Sequence, residues 1–130
     1  MNIGLGAKRK MILLVDSDPH ARAVLRNALE AAGFSVGEAA NGPEGERTAN
    51  RIKPDAILAD LMMETIDAGG AIADKLKEAG SRIPIYLVST AADALVGSVG
   101  LHELGIAGVF LKPIDPAVVV QTLKTRLLRG

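Results

Sequence analysis

Residues 54–61, Pro54-Asp55-Ala56-Ile57-Leu58-Ala59-Asp60-Leu61, read as a short buried strand that ends on a carboxylate. The apolar run Ala56–Ala59 is too short for a helix and is bounded by proline and charge, as a strand covered on both faces should be. Runs of the same kind recur at Met11–Val15, Ile85–Val88 and Val109–Leu111. Phe34–Glu38 is a fifth and weaker one, suited to a sheet edge.

Between these runs lie segments of helical length: Pro19–Ala32, Pro43–Arg51, Ala68–Ala79, Ala92–Leu104 and Pro116–Leu128. Strict strand–helix alternation gives five βα units and an α/β architecture with a parallel sheet. Asp18-Pro19 and Asp115-Pro116 each supply an N-cap followed by proline at the first helical position, and Gly33 stands where a C-terminal glycine belongs. In the last helix Val119, Leu123 and Leu127 share one stripe that should lie on the sheet, while Gln121, Lys124 and Arg126 face water. The fourth helical segment is the weak one, because Gly97 and Gly100 each cost about 1 kcal/mol relative to alanine.

The 130 residues make one domain, and a hydrophobic fraction of 48% lets it bury a core without disulfides or a structural metal. Residues 1–10 read as a flexible N-terminal lead and residues 11–130 as the folded domain. Net charge is zero and Lys8-Arg9-Lys10 forms no extended basic stripe, so direct nucleic-acid binding has no electrostatic basis. The sequence has no cysteine, which excludes disulfides, thiol catalysis and cysteine-ligated zinc. The run Met11–Val15 is too short for a signal sequence or a membrane span, so a cytoplasmic protein without membrane attachment is expected. His20 and His102 lack the paired spacing of a metal site, and the glycines form no phosphate loop after a strand.

In an open parallel sheet flanked by helices, ligands bind beyond the carboxyl ends of the strands, where strand order reverses. Those ends carry Asp16-Ser17-Asp18, Asp60, Ser89-Thr90 and Lys112-Pro113. Carboxylates, a hydroxyl and an ammonium are therefore expected to converge on one edge.

Four stretches in order, Leu14 to Pro19, Pro54 to Met63, Val88-Ser89 and Leu111 to Ile114, make the chain resemble the CheY-like receiver domain of two-component response regulators. The resemblance covers nearly the whole chain after the lead. It implies a flavodoxin-like doubly wound (βα)5 fold, a five-stranded parallel sheet in the order 2-1-3-4-5. It also implies that Asp60 is the phosphoacceptor, a carboxylate nucleophile that takes a phosphoryl group from a histidine kinase or phosphotransferase. Asp16, Asp60 and the backbone carbonyl of Met62 would hold Mg²⁺ through hard oxygen ligands. Lys112 would pair with Asp60 at rest and with the phosphoryl oxygens afterwards, Ser89 would be the switch hydroxyl, and Pro113 would follow a cis bond.

The chain departs from the family pattern at several positions. Ser17 replaces an acid that is normally a metal ligand, so Mg²⁺ binding should be weak, with the hydroxyl or an ordered water in the vacated coordination position. Asp18 could replace that acid, but an aspartate just before Pro19 reads better as a helix cap. Val109 stands where an aromatic switch residue is usual, and Glu64 where the following loop usually has proline.

The leading expectation is thus a phosphorylation-dependent switch whose only catalysis is turnover of its own acyl phosphate. The alternative is a degenerate receiver that binds proteins independently of phosphorylation, as the loss of the usual residues at 17 and 109 suggests. Either way the output belongs to a separate downstream protein or to a covalently linked domain, and the resemblance leaves room for homodimerisation through the face around the fourth helix and fifth strand.

Overall fold

The computed structural model describes residues 9–60, 82–89 and 106–128. The helices expected at Ala68–Ala79 and Ala92–Leu104 lie outside these residues, as do Met62, Glu64 and His102. In chain order the described elements are β1 (Met11–Val15), α1 (Pro19–Ala31), β2 (Ser35–Ala39), α2 (Gly42–Ile52), β3 (Ala56–Asp60), β4 (Ile85–Ser89), β5 (Ile106–Leu111) and α3 (Pro116–Leu127).

All five strands pair in parallel in the order β2-β1-β3-β4-β5, the order expected from the resemblance. Strand order reverses between β1 and β3, so their carboxyl ends flank the crevice where such sheets bind ligands. Every residue of β3 and β4 is buried, which explains why both read as uninterrupted apolar runs. Side-chain alternation divides the core into two layers. Ile12, Leu14, Leu58 and Val88 meet Leu25 and Leu29 of α1 and Val119 and Leu123 of α3. Leu13, Val15, Ile57 and Leu87 point the other way, into the layer that holds Ala49 of α2.

The helix ends follow from side-chain chemistry. Asp18 and Asp115 accept from the backbone N–H groups of His20 and Ala117, each at 2.9 Å, as N-caps should. Asn41 caps α2 through the N–H of Glu44 at 2.8 Å, so that helix begins at Gly42, before the expected Pro43. At the end of α1, Gly33 has φ +100° and donates to the Glu30 carbonyl, while Phe34 donates to that of Leu29, both at 3.0 Å. This Schellman closure needs a left-handed residue that glycine supplies without strain.

It also corrects the expected second strand. The Phe34 N–H is committed to α1, so pairing starts at Ser35 and runs to Ala39, with Phe34 buried against Leu29. β5 likewise starts at Ile106, not Val109, because Gly108 interrupts the apolar run without ending the strand. Gly108 pairs with Tyr86, and a Cβ there would lie 3.2 Å from the Tyr86 ring.

Candidate functional site

β3 delivers Asp60 to the carboxyl edge of the sheet, in register with Val88 of β4. The Lys112 Nζ lies 2.9 Å from Asp60 Oδ2. Asp60 is only 7% exposed, whereas the Lys112 side chain is 38% exposed, so the ammonium reaches a nearly buried carboxylate from the solvent side. The Lys112 N–H donates to the Ser89 carbonyl at 2.8 Å, which extends β5 along β4 and sets the lysine at this edge. The Lys112–Pro113 bond is cis, as expected.

Ser89 follows the Asp60–Val88 pair by one residue and is 1% exposed. Its Oγ has no hydrogen-bond partner among the described residues.

β1 delivers Asp16, whose Oδ1 accepts from the Asp18 N–H at 2.8 Å. Burial raises the Asp16 carboxyl above its usual range and the nearby Asp60 charge acts in the same direction, while the Asp18 N–H and Lys112 oppose them. Asp18 is committed to capping α1, which agrees with the cap reading. Asp16, Ser17, Asp18, Asp60 and Lys112 line a cleft of about 520 Å³ together with the apolar residues Ala21, Val24, Leu25, Val88 and Ile114.

The donor chemistry fits Mg²⁺ but offers little charge to it. Asp16 and Asp60 are carboxylates and Ser17 a hydroxyl, all hard oxygen donors that leave room for retained waters. No group of three His, Cys, Asp or Glu side chains suited to a metal occurs among the described residues.

Two features escaped the sequence reading. Phe110 stacks on Tyr86 with ring centroids 5.4 Å apart, in the layer opposite Val109. Alternation therefore prevents Phe110 from standing in for an aromatic residue at 109. The second feature is an ion network between α1 and β2. Arg22 Nε donates to Glu38 at 2.9 Å, Arg26 donates to the other Glu38 oxygen, and the Arg22 Nη1 donates to the Asp16 carbonyl. An i,i+4 arginine pair on the helix was visible in sequence, but the strand residue it meets was not.

The Arg22 hydrogen bond is the main cause holding the Glu38 carboxyl below its usual 4.5; burial opposes it and Arg26 adds to it. An unfolded glutamate therefore takes up its proton at higher pH than the folded one, so the network's stabilisation is complete above the unfolded value and disappears as pH falls through the folded one. Glu38→Gln is expected to lower stability by about 1 kcal/mol at neutral pH and to converge with wild type in acid, as read from urea midpoints across the pH range.

A five-stranded parallel sheet in the order β2-β1-β3-β4-β5, with an aspartate–lysine pair at its carboxyl edge, defines a doubly wound, flavodoxin-like α/β domain. The chain belongs to the response regulator receiver domain family, whose model matches residues 12–124. It is 31% identical to the transcriptional regulatory protein PrrA of Mycobacterium leprae over 129 residues, 99% of this chain and 54% of that protein. It is 30% identical to the transcriptional regulatory protein GlrR of Escherichia coli over 116 residues, 89% of this chain and 26% of that one. The chain thus spans about half or less of these relatives. The chemotaxis response regulator CheY4 of Vibrio cholerae superposes with a TM-score of 0.81 at 24% identity, covering 92% of this chain and all of that one. A CheY-like receiver domain protein from Methanospirillum hungatei gives 0.82 at 23% identity, covering 92% and 94%. At such identities the superpositions speak for the fold alone.

Proposed function

We propose that this receiver accepts a phosphoryl group on Asp60 from a histidine kinase or phosphotransferase and thereby switches a protein-binding surface. The observation that carries this reading is the 2.9 Å pair between Lys112 and the nearly buried Asp60. An Asp60 carboxylate oxygen attacks phosphorus, the phosphorus–nitrogen bond of the donor phosphohistidine breaks, and its electron pair returns to the imidazole. The product is an acyl phosphate on Asp60. The Lys112 ammonium stands beside the reacting centre, and the Ser89 hydroxyl donates to a phosphoryl oxygen. Asp16, Asp60 and the Met62 carbonyl, with Ser17 or water beside them, would hold Mg²⁺, which would supply positive charge against the phosphoryl oxygens.

No helix among the described residues is long and apolar enough to cross a membrane. Because the matched relatives are transcriptional regulators of greater length, the output is assigned to a linked domain or a downstream protein. Homodimerisation remains one form the switched contact could take.

Intact-mass analysis after incubation with Mg²⁺ and a small phosphodonor is the test. A gain of one phosphoryl group is expected. No gain, with no Mg²⁺ binding by titration, would overturn the proposal in favour of a phosphorylation-independent interaction module, the reading that Ser17 in the cleft favours. Lys112→Met is expected to slow phosphoryl uptake about 10²-fold, measured by the same mass shift over time.

A further inference from the structure

Asp16 is held at three atoms. Its N–H donates to the Ala39 carbonyl at 3.0 Å, its Oδ1 accepts from the Asp18 N–H at 2.8 Å, and its carbonyl accepts from Arg22. The first and third bonds converge from β2 and α1, and Arg22 links these elements through Glu38, the residue before Ala39. The Arg22 side chain is 17% exposed, against 43% for Arg26. Two bonds from one planar guanidinium, one to a carbonyl and one to a carboxylate, fix its direction in a way a lysine cannot.

We infer that Arg22 is a positioning residue for the site: braced by Glu38, it clamps the Asp16 carbonyl and so fixes where the Asp16 carboxylate points. This rests on the reading of Asp16 as a Mg²⁺ ligand. With a serine at residue 17, fewer carboxylates share the metal, and orientation of the remaining ones matters more. Groups that orient a ligand from behind commonly change metal affinity 10- to 100-fold when removed, without touching the metal. Arg22 also brings positive charge to the loop without occupying the carboxylate oxygens.

The test compares Arg22→Met, Arg22→Lys and Arg26→Met in the full chain by two readouts. One is amide hydrogen exchange at Asp18 in metal-free protein; the other is the Mg²⁺ concentration for half-maximal phosphorylation by a small phosphodonor. Arg22→Met should speed exchange at Asp18 and raise the half-maximal Mg²⁺ about tenfold, with the rate at saturating Mg²⁺ near wild type. Arg22→Lys should fall between it and wild type. Arg26→Met weakens the same Glu38 network but should leave both readouts unchanged, which separates positioning from general loss of stability. If Arg22→Met matches Arg26→Met in both, the positioning role is overturned while the phosphoacceptor reading stands. A wild type that takes up no phosphoryl group overturns that reading instead, and the exchange contrast alone then decides whether Arg22 orders the loop.

Discussion

Asp60→Asn is expected to take up no phosphoryl group: its mass stays unchanged under conditions in which wild type gains one. Asparagine has the shape of aspartate, so the β3 strand end and its register with Val88 should survive the change. What it lacks is the anionic oxygen that attacks phosphorus, and loss of a nucleophile removes at least about 10³-fold in rate. Stability should change little, by about 1 kcal/mol or less, because Lys112 is 38% exposed and its ammonium can return to water. The reverse change, Lys112→Met, leaves a nearly buried carboxylate without that cation and should destabilise more. A mass gain in Asp60→Asn equal to that of wild type would mean that another residue is the acceptor.

The contrast between Asp60 and Arg22 shows what the sequence makes legible. Asp60 closes a four-residue apolar run and Lys112 a three-residue one, so position along a strand suffices to put both on the carboxyl edge. Asp18 and Asp115 were readable as caps because capping is a contact between near neighbours, two residues apart in each case. Glu38 gave no such signal. Its two arginines lie 16 and 12 residues earlier, and the packing of α1 against β2 decides that they meet. The one-residue shift of β2 has the same origin, since whether Phe34 pairs in the sheet or closes α1 depends on where its N–H finds a carbonyl. The burial of Ser89, whose Oγ meets no hydrogen-bond partner among the described residues, was equally unreadable, because it belongs to the assembled edge and not to any local pattern.

Ser17→Asp is expected to tighten Mg²⁺ at least tenfold and to speed phosphorylation at limiting Mg²⁺. Ser17 lines the cleft with Asp16 and Asp60, so the substitution adds a full negative charge where the metal would sit. Unit charges about 4 Å apart interact by about 4 kcal/mol at an effective dielectric constant of 20, and even after desolvation a gain of about 1.4 kcal/mol would make the tenfold change. The same charge is harmful without metal. Burial and Asp60 already push the Asp16 carboxyl upward, and a third carboxylate should push it further. A folded acid with a raised pKa binds its proton more tightly than in the unfolded chain, so stability falls as pH rises from the unfolded value through the folded one. Metal-free Ser17→Asp should therefore melt below wild type at neutral pH, and added Mg²⁺ should raise its midpoint more than that of wild type, in proportion to ln(1 + [Mg²⁺]/Kd). Titration calorimetry paired with thermal melts reads both effects. Unchanged affinity together with an unchanged metal-free midpoint would show that residue 17 does not face the metal, and serine there would then be neutral to phosphorylation. The predicted pair of opposite shifts instead makes Ser17 a compromise: it spares the resting domain the repulsion of a third acid and leaves orientation of Asp16 to supply what charge no longer does.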